Sequence, residues 1–181
     1  MTNVEEILNA FGKEVLRQSR SNLTRQGKRD TNGLYKNIDF ELDVFKNSFS
    51  MDFGMRIGGR LQKGYMDFVD QGVSGTEKKY NTPYSFRNKM PPRKNILEWV
   101  NRKRLRLRDP ETGRFKKGGQ NSLAYLIQRS IFKKGIRPSM FFTRAFENAF
   151  RQLPDELEEA FALDVEDLIE FTFRKNNINT Q

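Results

Sequence analysis

Two stretches of alternating apolar and polar residues constrain the fold of this chain more than any other feature. Every second residue from Ile38 to Val44 is apolar, and the residues between them are acidic. From Phe49 to Met55, Phe and Met alternate with small or polar residues. A period of two places successive side chains on opposite faces of a strand. Because only the short segment around Lys46-Asn47 separates the stretches, the sequence predicts two antiparallel strands with one face in the core and one in water.

Segments with helical periodicity surround these strands. Apolar residues recur at intervals of three and four in five segments, which predicts five amphipathic helices. Thr2 and Glu5 have the spacing of a capping box at the start of the first helix. Pro91-Pro92 fits the first turn of the second helix. The inward-facing stripes are Val4, Ile7, Leu8, Phe11 and Val15; Ile96, Trp99, Val100 and Lys103; Leu123, Ile127 and Ile131; Phe142, Ala145, Phe146, Ala149, Phe150 and Leu153; and Leu157, Phe161, Val165, Leu168 and Ile169.

These patterns together predict an α+β fold, in which an antiparallel sheet packs against several α-helices. We expect a single domain over residues 1–175, with a basic arm at 102–119 and a disordered tail at 176–181. The arm has few apolar residues, so we expect a flexible segment or a β-hairpin that becomes ordered in an assembled particle. The chain is only 36% hydrophobic but contains 16 Phe residues, which favours a Phe-rich core.

The composition excludes several kinds of chemistry. The chain has no Cys and no His, so it forms no disulfide, Cys/His zinc site, thiol nucleophile or Ser-His-Asp triad. No segment approaches the roughly 18 apolar residues of a membrane span. The first residues are acidic and lack the features of a signal peptide. We therefore expect no enzymatic activity, no cofactor, no bound metal and no membrane partner.

The charge of the chain is unevenly distributed. The net charge is +10, yet residues 154–170 contain eight acids and no base. Residues 87–117 contain twelve bases and three acids. A basic face meets either nucleic acid or an acidic surface of another protein. The candidates for such contacts with protein or DNA are Arg102, Arg104, Arg106, Arg108, Arg114, Lys116 and Lys117 in the basic arm, and Glu158, Glu159 and Glu166 in the acidic C-terminal helix.

Four short motifs follow one another between residues 65 and 150. They are the aromatic segment Tyr65-Met66-Asp67-Phe68-Val69-Asp70-Gln71-Gly72; the Pro91-Pro92 helix with Ile96 and Trp99-Val100; the helix with Ala124-Tyr125-Leu126-Ile127 and Ile131, followed by Gly135; and Arg137-Pro138-Ser139-Met140-Phe141-Phe142. In order and spacing they resemble neck and tail-completion proteins of tailed bacteriophages, the minor virion proteins that connect head and tail. The basic insert at 105–119 and the acidic C-terminal helix lie outside that pattern.

The resemblance implies a structural protein without catalytic residues. It implies a homo-oligomeric ring of about six or twelve copies at the neck or upper tail. It also implies contacts with neighbouring neck, portal-adaptor or tail proteins, and assembly in the host cytoplasm. Non-specific contact with packaged DNA is a further expectation for the basic arm.

Two alternatives remain open at this point. A sequence pI near 9.9 permits a stand-alone nucleic-acid-binding protein, although the chain carries no recognition motif. Asp70, Glu77 and Lys79 resemble the acid, spacer, Glu-x-Lys motif of Mg²⁺-dependent nucleases, in which two carboxylates hold the metal. With 23 acids and 33 bases, chance matches to so short a motif are frequent. The structural interpretation is therefore favoured.

Overall fold

A computed structural model describes residues 3–45, 48–116 and 119–164. The fold is α+β, as the sequence predicts, with helices and a three-stranded antiparallel sheet. The chain divides into two compact units: Met1–Met66 with Met140–Gln181, here called unit 1, and Asp67–Ser139, here called unit 2. The expectation of a single domain over residues 1–175 stays a prediction. The tail at 176–181 lies outside the described residues.

Unit 1 contains the sheet and four helices of the described chain. They are α1 (Asn3–Arg25), α2 (Gly33–Asn37), β1 (Ile38–Phe45), β2 (Ser48–Ile57), β3 (Arg60–Gln62), α6 (Thr143–Phe150) and a final helix, α7, which covers residues 153–164. The short helix α3 (Met66–Asp70) begins at the last residue of unit 1. Unit 2 contains α4 (Arg93–Arg102) and α5 (Gln120–Lys134).

The two predicted strands form the body of the sheet. β1 pairs antiparallel with β2, from Ile38 opposite Met55 to Phe45 opposite Ser48. The third strand, β3, pairs with β2 only at residues 55–57. The sequence analysis does not predict β3, because three residues after a Gly58-Gly59 turn are too short to show a period. The short α2 is missed for the same reason.

The core of unit 1 is built on aromatic side chains. Phe11, Val15 and Leu153 are buried together, and Phe53 and Phe146 pack against them. The Phe11 ring lies edge-on to the Phe146 ring, with 5.5 Å between centroids. Edge-to-face pairs of this kind stabilise a core beyond their buried area. The predicted Phe-rich core is therefore confirmed in unit 1.

Several residues of the predicted apolar stripes lie outside the core. Phe150 is 49% exposed and Phe161 is 65% exposed, so the predicted faces of α6 and α7 are narrower than the sequence suggests. Ala160 is buried instead of Phe161. Lys103 lies beyond the end of α4 and is exposed. The stripe residues Val165, Leu168 and Ile169 lie outside the described residues.

The core of unit 2 is smaller and lies between α4 and α5. Ile96, Val100 and Ala124 are buried together, with Trp99 and Leu105 packed against them. Pro92 precedes the first residue of α4, which agrees with the predicted role of Pro91-Pro92. None of the helices in the described residues combines the length and apolar composition needed to cross a bilayer.

Candidate assembly surfaces

Motifs that are far apart in the sequence meet in unit 2. Val73 and Ile136 form an antiparallel bridge, with the Val73 N–H donating to the Ile136 carbonyl at 2.9 Å and the Ile136 N–H donating back at 2.7 Å. This bridge joins the end of the aromatic segment to the residues that follow α5. Two of the four motifs, the aromatic segment and the segment that follows α5, are therefore in contact in the fold.

Glycine is required where these motifs cross. Gly72 has φ +75°, and a Cβ added there would lie 2.5 Å from the Ile136 carbonyl oxygen and 2.6 Å from the Pro138 nitrogen. A side chain at Gly72 therefore meets both an unfavourable backbone conformation and backbone atoms that have no room to move. On the other side, Ser139 donates from its N–H to the Asp70 carbonyl at 2.9 Å. This part of the motif has a structural role.

The three residues of the nuclease motif have different surroundings in the structure. Asp70 is buried in unit 2, Glu77 is exposed and forms an ion pair with Lys133, and the Lys79 ammonium donates to the Gly75 carbonyl at 2.8 Å. Within the described residues, no group of three or more acidic side chains is placed to hold a metal ion. The three residues are each engaged in different local contacts.

The basic arm folds into a hairpin turn. Arg108 and Phe115 form an antiparallel bridge, and the Asp109 N–H donates to the Arg114 carbonyl at 2.8 Å. The Asp109 carboxylate accepts from the N–H groups of Thr112 and Glu111, and these bonds lower its pKa, with Lys116 contributing as well. Of the two predicted forms for the arm, the structure adopts the hairpin. Its hydrogen bonds form within the single chain, which corrects the expectation that the arm becomes ordered only in an assembled particle.

Alternation along this hairpin places arginines on its outer side. Leu105 packs against the core of unit 2 and Leu107 is half-buried, while Arg104, Arg106 and Arg108 between and beside them are exposed. The Arg108 guanidinium lies 4.9 Å from the centre of the Phe115 ring. These three exposed arginines, here called the arginine row, alternate with leucines that are partly buried and are suited to binding phosphates or carboxylates.

The other basic candidates differ in their surroundings. Arg102 is exposed and makes local contacts, and Arg114 is exposed at the hairpin turn. The Lys116 ammonium lies 3.2 Å from the Asp109 carboxylate, so part of its charge is compensated within the arm. Lys117 lies outside the described residues.

The acidic candidates lie on α7 in unit 1. Glu158 and Glu159 are exposed, and Glu166 lies outside the described residues. One acid of the same predicted helix has an internal role: the Asp164 carboxylate accepts from the N–H groups of Asn3 at 2.9 Å and Val4 at 3.2 Å. It therefore caps the start of α1, because a carboxylate there satisfies free N–H groups and suits the helix dipole.

A further surface, which the sequence analysis does not single out, is the tip of the β1–β2 hairpin. Val44, Phe45 and Phe49 are 51%, 57% and 42% exposed. Val44 lies opposite Phe49 in the strand register, so these two extend the core face of the sheet into solvent. Phe45 lies on the other face, where alternation predicts a polar residue. That interruption of the pattern is the sequence signal for this surface, here called the hairpin tip.

The edges of the sheet add to this surface. Among the described residues, no strand pairs with the outer edge of β1, and residues 48–54 of β2 have only β1 as a partner. The polar face of the hairpin is acidic, and Arg56 pairs there with Asp39 at 2.7 Å and Glu41 at 3.0 Å. Open edges with apolar residues favour association with another chain.

The candidate residues therefore belong to separate surfaces. The basic hairpin lies in unit 2, and the acidic helix and the hairpin tip lie in unit 1. Comparisons with protein-family models, with curated proteins and with solved structures found no match to this chain.

Proposed function

We propose that the chain is a structural subunit of a tailed-phage virion, which forms a ring at the head-tail neck or upper tail through contacts with copies of itself and with neighbouring virion proteins. The observation that carries the proposal is the hairpin tip, where Val44, Phe45 and Phe49 are exposed together. Single exposed apolar residues are ordinary, whereas clustered ones mark interaction sites.

Burial of the tip supplies a driving force for assembly. Moving a Phe or Val side chain out of water contributes roughly 1.5–3 kcal/mol when it becomes fully buried. The three tip residues are each about half exposed in the free subunit, so only part of that free energy remains available per residue. Repeated in every copy around a ring, such contacts stabilise an assembly of many subunits.

The charge distribution supports contacts between different surfaces of neighbouring copies. Asp155, Glu156, Glu158 and Glu159 are exposed on α7, and the arginine row is exposed on the basic hairpin. A contact that joins two different patches generates a closed ring when its rotation closes. Opposite charges on the two patches favour contact between the acidic patch of one copy and the basic patch of the next.

The resemblance in residues 65–150 supplies the virion context. In unit 2 the end of the aromatic segment is joined to the residues that follow α5, through the Val73–Ile136 bridge and the close backbone approach at Gly72. Because these residues have structural roles, they support a shared fold and a non-enzymatic function.

The exposed arginine row favours a second candidate function, non-specific binding of DNA. Arg104, Arg106 and Arg108 are exposed, whereas the leucines between them are partly buried, and guanidinium groups bind phosphates through paired hydrogen bonds. Affinity for double-stranded DNA should then fall steeply as salt is raised. Replacing all three arginines by Gln should reduce that salt dependence if the arm makes the contact.

Native mass spectrometry of the full chain tests self-assembly. We expect a closed oligomer of one defined size, and we expect Phe45→Ser combined with Phe49→Ser to shift it to monomer. The matched control is Leu126→Ser, which removes an apolar residue of similar exposure (50%) from α5, outside the proposed contact surfaces, and should leave assembly intact. A wild-type chain that stays monomeric at every accessible concentration contradicts ring formation by the chain alone.

A further inference from the structure

Unit 2 contains an apolar groove that none of the surfaces described above includes. Its volume is about 610 Å³, and its lining includes Phe68, Val73, Tyr84, Phe86 and Pro91. The Phe68 and Tyr84 rings meet edge to face at 4.6 Å between centroids, and the Tyr84 hydroxyl donates to the Asp67 carboxylate at 3.2 Å. These contacts hold the aromatic wall in place, so the groove is built into the fold of unit 2.

The backbone around the groove is also fixed. The Ser74 N–H donates to the Tyr84 carbonyl at 2.9 Å, and the Phe86 N–H donates to the Ser74 carbonyl at 2.8 Å. On the other side, the bridge between Val73 and Ile136 closes the floor. A groove with a rigid lining binds without a large cost in ordering its own side chains.

The sequence around this groove is strongly basic. Residues 78–97 contain six basic residues and no acid. Arg87 lines the groove itself, and Lys89 and Lys94 are exposed in the adjoining segment. An occupant that fits this site therefore combines apolar side chains with negative charge beside them.

The hairpin tip has these two properties. Its apolar residues are Val44, Phe45 and Phe49, and Asp43 is exposed directly before Val44. Residues 38–57 contain four acids and two bases, and one of those bases, Arg56, is paired with Asp39 and Glu41. The other base, Lys46, follows Phe45 in the sequence, so residues 38–57 carry a net charge of −2 (four acids, two bases). The tip therefore joins an apolar surface to a segment whose charge is opposite in sign to that of residues 78–97 around the groove.

We propose that the hairpin tip of one copy of this chain occupies the unit 2 groove of a second copy. The inference rests on the proposed ring function, for which it names the contact between neighbouring subunits. Since the tip belongs to unit 1 and the groove to unit 2, the two surfaces differ, and each copy offers one of each. Aromatic anchors in a preformed apolar groove are typical of the residues that dominate binding free energy.

The absence of Cys in the chain makes a cross-linking test clean. Ser48→Cys places a thiol at the tip, and Ser85→Cys places one at the groove, with little change in side-chain size. The two singly substituted chains are mixed and treated with a short bis-maleimide linker. We expect a covalent dimer that contains one chain of each kind. The matched control replaces Ser85→Cys by Ser130→Cys, an exposed position on α5, and should give no dimer above background.

A charge exchange tests the same contact without a linker. Arg87→Glu and Asp43→Lys should each weaken assembly by roughly tenfold, because each places like charges next to one another. The double variant should recover most of the loss. The control Arg129→Glu, at an exposed position on α5, changes the net charge equally and should have little effect.

The outcomes separate this inference from the ring proposal. Oligomers that form while the Ser48/Ser85 pair cross-links no better than the control overturn the tip-in-groove contact and leave the ring proposal standing. Cross-linking that occurs only within a doubly substituted single chain overturns the contact as well, since the occupant is then the same copy. A chain that forms no oligomer overturns both.

Discussion

Truncation of Phe146 provides the most direct test of the core assigned to unit 1. Phe146 lies on α6, and its ring is 5.5 Å from that of Phe11, 6.0 Å from that of Phe53 and 5.6 Å from that of Phe150. Replacing a buried Phe by Ala costs about 3–5 kcal/mol. Because Phe146 is half-buried, we expect the lower end, about 3 kcal/mol.

Thermal unfolding measures this change. For a chain of this size, 1 kcal/mol lowers Tm by about 2–4 °C, so Phe146→Ala should lower Tm by about 6–12 °C. The matched control is Phe150→Ala on the same helix. Phe150 is 49% exposed, so its removal should cost only about 1 kcal/mol.

Two probes make the experiment more informative. Circular dichroism follows the helices of the whole chain, whereas the fluorescence of the single Trp, Trp99, reports on unit 2. If residues 1–175 unfold as one domain, Phe146→Ala shifts both transitions together. An unchanged Tm in Phe146→Ala, or an equal loss in the Phe150 control, refutes the assignment of this face of α6 to the core.

Three further predictions concern other parts of the chain. Gly72→Ala should destabilise the chain by at least about 2 kcal/mol in urea unfolding, because strain at positive φ and a backbone clash combine. The control is Gly113→Ala, which has φ +66° but nothing within 4 Å of the added Cβ and should cost only about 1 kcal/mol. Equal losses of stability in the two variants would refute the clash at Gly72. Hydrogen bonds from Arg17 and Gln18 lower the pKa of Glu14 to about 2 in the folded chain. The ionised Glu14 therefore stabilises the folded chain fully above the pKa that this residue has in the unfolded chain, and the stabilisation is lost as pH falls through about 2. Because the Glu14–Arg17 ion pair is exposed, Glu14→Gln should lower the free energy of unfolding at pH 7 by less than about 1 kcal/mol. The difference between variant and wild type should vanish toward pH 2. A difference that persists at pH 2 contradicts the pairing of Glu14 with Arg17. Hydrogen exchange should show slower amides at Asp109 and Lys116 than at exposed loop positions, and unprotected amides would mean that the hairpin of the arm is not stable in the free subunit.

Elements with a long, regular pattern were predictable from the sequence. The alternation from Ile38 to Val44 fixed the faces of β1, and the pairing register agrees with it. The stripe from Val4 to Val15 predicted an amphipathic first helix, and α1 runs over Asn3–Arg25 with Val4, Phe11 and Val15 buried. In both cases many residues contribute to one period, so local propensity and burial favour the same structure.

Features that depend on distant residues were not predictable. The start of α1 is capped by Asp164, about 160 residues away, and no local spacing contains that information. The proposed capping residue Thr2 lies outside the described residues. The exposure of Val44 and Phe49 also depends on tertiary structure: Met51 and Phe53 on the same strand face pack against the core, whereas Val44 and Phe49 are exposed. Alternation predicts the face of the strand on which a residue lies, but not whether other elements of the fold cover that residue.

The location of the protein in a phage particle tests the central claim most directly. Cryo-electron microscopy of particles from a phage whose genome encodes this chain should show a ring of about six or twelve copies at the neck or upper tail, in which the hairpin tip of each subunit contacts its neighbour. Particles that lack the protein, or that contain it only as isolated subunits on the packaged DNA, would contradict the proposed function.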